Sequence, residues 1–201
     1  VTPAATVHGD AALMALATNA AKGDASATSA LLRVVSPRLL RVVRAVLGGA
    51  HPDLEDAAQQ GVIAFVQALP AFRGECDPMG YASAIAVRTA IRAQRRRRTD
   101  LARRDDGAES EAIEASDPSP SDVASAERRK ALLRDLLAEL PAPQAEALAM
   151  RVVLGWSLDE IAARTEAPAN TVRSRIRLAK EALKRRIEAD PALCEELEGA
   201  R

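Results

Sequence analysis

Apolar residues recur along most of this chain at the spacing of helices, not of strands. Leu31, Leu32, Val35, Leu39, Leu40, Val43 and Val46 return every three or four positions across Ser26–Leu47, the period of a helix with one buried face. Lys22-Gly23-Asp24 interrupts the chain before this run, Gly48-Gly49 ends it, and Pro37 inside it predicts a kink or a restart. Upstream, Asp10–Ala21 has helical composition, and Val1–Gly9 reads as a frayed end. Asp53, followed by Glu55 and Asp56, opens a helix running to about Leu69, because carboxylates in the first turn complement the helix dipole. Pro70 stops it. Ala71–Asp77 is a loop, and Pro78 suits the first turn of a helix that carries Tyr81, Ile85 and Ile91 and leaves through a run of arginines.

From Arg104 to about Asp122 the periodicity disappears, and Asp, Glu, Ser, Pro and Gly predominate, the composition of a flexible linker. Leu132, Leu133, Leu136 and Leu137 then mark a helix that begins near Ala124 and stops at Leu140-Pro141, and Pro143 restarts one that reaches Leu154. Leu158, Ile161 and Ala162 share one face of a short helix, a break falls at Thr165–Asn170 with Pro168 inside it, and Val172, Ile176, Ala179 and Leu183 follow at helical spacing. Two helices and a tight turn make a helix-turn-helix. The predicted fold is all-α: a first helical module over 10–103, a linker over 104–123, a helix-turn-helix module over 124–189 and a tail over 190–201.

Composition supports this division. Aromatic residues are only 2% of the chain while 48% is hydrophobic, so Leu, Ala, Val and Ile must do the packing, which suits helices. The 28 basic and 28 acidic residues cancel, yet they are segregated. Arg88, Arg92, Arg95 to Arg98, Arg103 and Arg104 form one basic block, the final helix of the helix-turn-helix forms another, and the linker between them is acidic. Two basic surfaces joined by an acidic tether suit two contacts with a polyanion. Cys76 and Cys194 are too few for a disulfide scaffold, and no Cys-x-x-Cys or His-x-x-x-His spacing suggests zinc. No apolar run approaches the roughly 20 residues needed to cross a bilayer. A cytoplasmic protein without membrane insertion, cofactor or catalytic centre is expected.

In the helix-turn-helix, Asn170, Thr171, Arg173, Ser174, Arg175 and Arg177 lie away from the apolar face of the second helix. An exposed amino-terminal half of that kind can enter a major groove, where arginine forks onto guanine and Ser or Thr reaches bases or phosphates. An ordinary solvated face is the alternative, but Arg173, Arg175, Arg177, Lys180, Lys184, Arg185 and Arg186 oppose only Glu181. Such a block repels itself without an anionic partner.

The residues also resemble a known family. LLAELPAPQAEALAMRVVLGWSLDEIAARTEAPANTVRSRIRLAKEAL is similar to the region-four domain of sigma-70 family sigma factors, and SPRLLRVVRAVLG, DLEDAAQQGVIAFVQALPAFRGE and the arginine-ending helix resemble region two of the small extracytoplasmic-function (ECF) group. The resemblance implies a factor that binds core RNA polymerase, directs it to promoter DNA and helps open the duplex, with an anti-sigma factor as a further partner. It implies polymerase contacts at Asp53, Asp56, Gln59 and Gln60, with first-turn capping as the plain structural role of Asp56. Phe72, Arg73, Tyr81, Arg88, Arg92, Arg95 and Arg96 fall on the minus-ten region. There the loop Phe72–Asp77 matches the pocket for a flipped base, although Phe72 also suits a plug in the core. The family commonly has Trp near Tyr81 and Asn at Arg88. Glu166 stands where glycine is frequent, so either its φ is positive or the turn is rearranged.

Two other classes fit parts of the chain. A helix-turn-helix regulator acting without polymerase accounts for the second module but leaves DLEDAAQQGVIAFVQALPAFRGE unexplained. A metal-dependent nucleic-acid enzyme built on His51, Asp53, Glu55 and Asp56 lacks a second acidic cluster with a basic partner.

Overall fold

The computed structural model describes residues 4–105 and 122–191, together with Cys194. Eight α-helices make up the described chain, and no strand occurs among these residues. They are α1 (Ala4–Ala21), α2 (Ala25–Leu47), α3 (Leu54–Ala68), α4 (Pro78–Asp105), α5 (Asp122–Glu139), α6 (Ala142–Val153), α7 (Leu158–Thr165) and α8 (Ala169–Glu188). The all-α reading is correct.

Helix α2 is the axis of the first module. Asp24 caps it, its carboxylate accepting from the backbone N–H groups of Ser26 (2.8 Å) and Ala27 (3.0 Å), which satisfies two of the donors a helix start leaves open. Leu31, Val35, Leu39 and Val43 are fully buried along one face, and α1, α3 and α4 pack around it. The helix runs on through Pro37, so of the two expectations there, a kink or a restart, the restart does not occur. Gly48 ends α2 with φ +94°, a conformation that favours glycine. Its bare Cα also admits the Arg134 guanidinium from α5, which lies 2.6 Å from where a Cβ would stand.

Three expectations are corrected here. Helix α1 begins at Ala4 rather than Asp10, because the alanine-rich segment carries helix past Gly9. Asp53 occupies the N-cap of α3 without a side-chain capping bond; its N–H donates to His51 Nδ1 at 3.2 Å, and its carboxylate lies 4.0 Å from Arg97. Helices α4 and α5 extend to Asp105 and from Asp122, into both flanks of the expected linker, whose residues 106–121 lie outside the described residues. Of the expected tail, only 190, 191 and 194 are described.

The stop after α3 follows from Pro70, which sits in a 3-10 turn at Leu69–Ala71. Asp77 then caps α4 by accepting from the N–H groups of Met79 (3.1 Å) and Gly80 (2.6 Å). In the second module Ser157 and Glu160 form a reciprocal capping box at the start of α7. Ile161 of α7 and Val172, Ile176 and Ala179 of α8 are buried, which locks the helix-turn-helix angle.

Glu166 ends α7 in the left-handed region, φ +51°. Of the two alternatives at this position, the turn keeps its geometry and the side chain bears the strain. Glu166→Gly is therefore expected to stabilise the chain by about 0.5–1 kcal/mol, the left-handed penalty less the added freedom of the unfolded glycine. A shift in the denaturant midpoint at unchanged slope measures it.

Candidate nucleic-acid interface

The exposed half of α8 forms the first candidate surface. Asn170, Thr171, Arg173, Ser174 and Arg177 are exposed, whereas Arg175 is half-buried. Because Val172, Ile176 and Ala179 hold the opposite face in the core, the polar residues project from a rigid support. Arg173 donates to Asn170 Oδ1 at 2.9 Å, and Arg177 pairs with Glu181 at 2.8 Å. Exposed pairs of this kind hold loosely and can be exchanged for a phosphate or base edge.

The minus-ten candidates divide into three groups. Arg73, Arg92 and Arg96 are exposed. Phe72 is only 8% exposed and packs on Tyr81 with ring centroids 5.3 Å apart, so of its two roles the structure displays the core plug. Tyr81 is half-buried, also meets Phe65 at 6.2 Å and donates its hydroxyl to the Ala68 carbonyl at 3.1 Å. Burial pushes its phenol above the ordinary tyrosine range.

Arg88 and Arg95 form the third group, turned toward the second module. Arg88 Nη2 donates to the Arg164 carbonyl at 2.6 Å, at the last turn of α7. Arg95 Nη1 donates to the Leu140 carbonyl at 2.9 Å, just past the end of α5. Carbonyls at helix carboxyl ends lack intrahelical donors and carry the negative end of the dipole, so cations are favoured there. Gln94, between these arginines, donates to the Arg134 carbonyl and leaves its own Oε1 buried without a partner.

Glu146 of α6 was not recognised as a site residue from the sequence. Its carboxylate lies 4.0 Å from Arg88 Nε and is mostly buried, and Arg92, Arg175 and Arg95 act on it as well. Burial raises its carboxyl above the usual carboxylate range, and these four arginines oppose that shift. A lone acid within the otherwise apolar run Ala145–Met150 was the available signal.

The polymerase-contact candidates lie on α3. Asp56, Gln59 and Gln60 are exposed and Asp53 is half-buried. Gln59 borders an open groove of about 750 Å³ between α2 and α3, lined also by Leu32, Pro37, Leu40 and Val62. His51 and Asp53 face each other and Arg97, and among the described residues no three His, Cys, Asp or Glu side chains converge as a metal site. No described helix is long and apolar enough to cross a membrane.

Comparison with known proteins accounts for both modules. The family pattern described as Sigma-70 region 2 matches residues 31–99, and Sigma-70, region 4 matches residues 130–183. The ECF RNA polymerase sigma factor SigD of Mycobacterium tuberculosis is 30% identical over 180 residues, covering 86% of this chain and 82% of that protein. The ECF RNA polymerase sigma factor ShbA of Streptomyces griseus is 34% identical over 157 residues, covering 73% of this chain and 80% of its own. Among solved structures, CnrH in complex with the cytosolic domain of CnrY shares the fold, with a TM-score of 0.52 at 21% identity over 89% of this chain and 99% of that one. With both regions matched in order, the chain belongs to the extracytoplasmic-function group of the sigma-70 family of sigma factors.

Proposed function

We propose that this chain is an alternative sigma factor that binds core RNA polymerase, carries it to promoter DNA and helps open the duplex. The observation that carries the reading is the pairing, in one chain, of a region-two module with a region-four module whose α8 presents a polar, arginine-rich half above a buried apolar face. In this reading α8 enters the major groove of an upstream element, and Arg73, Arg92 and Arg96 attract the opened strands at the minus-ten element. The apolar groove beside Gln59 and the exposed acid of Asp56 offer a surface for polymerase. An anti-sigma protein is a further expected partner, in keeping with the solved neighbour's complex with a cytosolic protein domain.

Binding to core polymerase separates this reading from a regulator that acts on DNA alone. The tagged full chain is expected to retain core polymerase during purification. Asp56→Arg, or a bulky replacement of Gln59, is expected to weaken that association and leave duplex binding unchanged. Equal core affinity in folded variants would remove α3 from the interface, and no association at all would favour the regulator.

Base reading by α8 has its own readout. Arg175→Ala is expected to cost about 1–3 kcal/mol at the upstream element and much less on unrelated duplex if the side chain forks onto a base. A uniform loss across sequences would make Arg175 a phosphate contact instead.

A further inference from the structure

A cavity of about 210 Å³ lies between the end of α2 with the loop after it, the middle of α4, and α5. One water molecule needs roughly 10–15 Å³ of such space, so there is room for a small organic molecule. Leu47 and Ala131 give the cavity apolar surface, and Gln94, His51, Arg134 and Asp135 give it polar groups. None of these residues is among the DNA or polymerase contacts named above.

Gln94 is the most buried of the polar groups, only 5% exposed. Its amide N–H is committed to the Arg134 carbonyl, while Oε1 is buried and no described protein group donates to it. A buried acceptor is costly to leave unpaired, so this position calls for a donor from outside the chain. His51 accepts the Asp53 N–H at Nδ1, which places the proton of the neutral ring on Nε2. Burial holds that ring below the ordinary histidine range, with Asp53 opposing, and so favours the neutral form. Arg134 and Asp135 supply one charge of each sign, Asp135 at the exposed rim. The Arg134 guanidinium has several N–H donors, enough to serve a carboxylate beside its contacts within the protein.

We propose that this cavity binds a small aliphatic α-amino acid as its zwitterion: Arg134 and the His51 Nε2–H receive the carboxylate, Gln94 Oε1 and Asp135 receive the ammonium, and Leu47 and Ala131 border the side chain. Charge and hydrogen-bond sense select this class. The four polar groups sum to no net charge and divide into two that donate and two that accept. A simple anion would face the oxygens of Gln94 and Asp135, and a simple cation would face Arg134. A molecule with both ends satisfies all four. The assignment goes beyond the sigma-factor reading and does not depend on it.

Isothermal titration of the full chain with L-valine and L-leucine, without polymerase or DNA, tests the site. Saturable one-to-one binding is expected for at least one of them. The matching amino-acid amide, which lacks the carboxylate, and the N-acetyl derivative, which lacks the ammonium, are each expected to bind at least about tenfold more weakly. Gln94→Met removes the buried acceptor at similar volume and is expected to weaken binding about tenfold. Because that variant also loses the bond to the Arg134 carbonyl, a second one approaches from outside. Ala131→Phe, at an exposed position, fills the mouth without removing a polar group and is expected to abolish binding while helical circular dichroism stays unchanged. Absence of binding by both amino acids at about 1 mM, equal binding of the amide or the N-acetyl form, or undiminished binding by folded Ala131→Phe would each overturn the proposal. Association with core polymerase is measured separately, on other residues, so failure of this site and failure of the sigma-factor reading are told apart.

Discussion

Replacing Phe65 by alanine is expected to remove about 3–5 kcal/mol of stability, the usual cost of emptying an aromatic site in a packed core. Phe65 has no exposed surface and its ring meets Tyr81 at 6.2 Å, which in turn meets Phe72 at 5.3 Å. These three rings tie α3 to the loop and to α4, and no other described aromatic is available to refill the space because the chain has only two Phe, one Tyr and one Trp. A total stability of about 5–15 kcal/mol leaves little margin for such a loss. Denaturant titration followed by near-ultraviolet signals from Tyr81 reads it directly. A loss below about 1 kcal/mol would mean that α3 and α4 collapse onto the vacancy, contrary to a core of close-packed small side chains.

The same aromatic cluster illustrates what the sequence revealed and what it withheld. Helix α2 was legible because Leu31, Val35, Leu39 and Val43 repeat at one angular position, and burial follows that repeat. The helix-turn-helix was legible for the same reason, and the structure adds the capping pair Ser157 and Glu160 at the start of α7. Phe72 carried two readings, a wall of the flipped-base pocket by resemblance and a core plug as the commoner role of a lone phenylalanine, and its packing on Tyr81 displays the second. The arginine run was legible as charge but not as geometry. Nothing local shows that Arg88 and Arg95 reach carbonyls 76 and 45 positions away in the chain, because the closure of distant segments follows from packing, not from periodicity. Glu146 was missed on the same ground: its significance comes from the arginines that surround it.

Inserting about 5 bp between the upstream and minus-ten elements is expected to reduce transcription sharply, since it rotates one element half a turn relative to the other at about 10–10.5 bp per turn. Residues before about 100 and after about 130 carry the two matched regions, and polymerase would hold both modules to one face of the duplex. Linker freedom cannot then restore the phase. A full-turn insertion is expected to recover activity only in part, because the distance has also grown. Indifference of start-site selection to these insertions would mean that the modules do not read a spaced promoter.

The most direct measurement is run-off transcription with purified core polymerase on a genomic promoter library, with start sites mapped in the presence and absence of this chain. Discrete starts that depend on the chain, each preceded by a shared pair of elements at fixed spacing, are the predicted result. If the chain binds duplex DNA yet produces no chain-dependent starts with core polymerase, it does not act as a sigma factor.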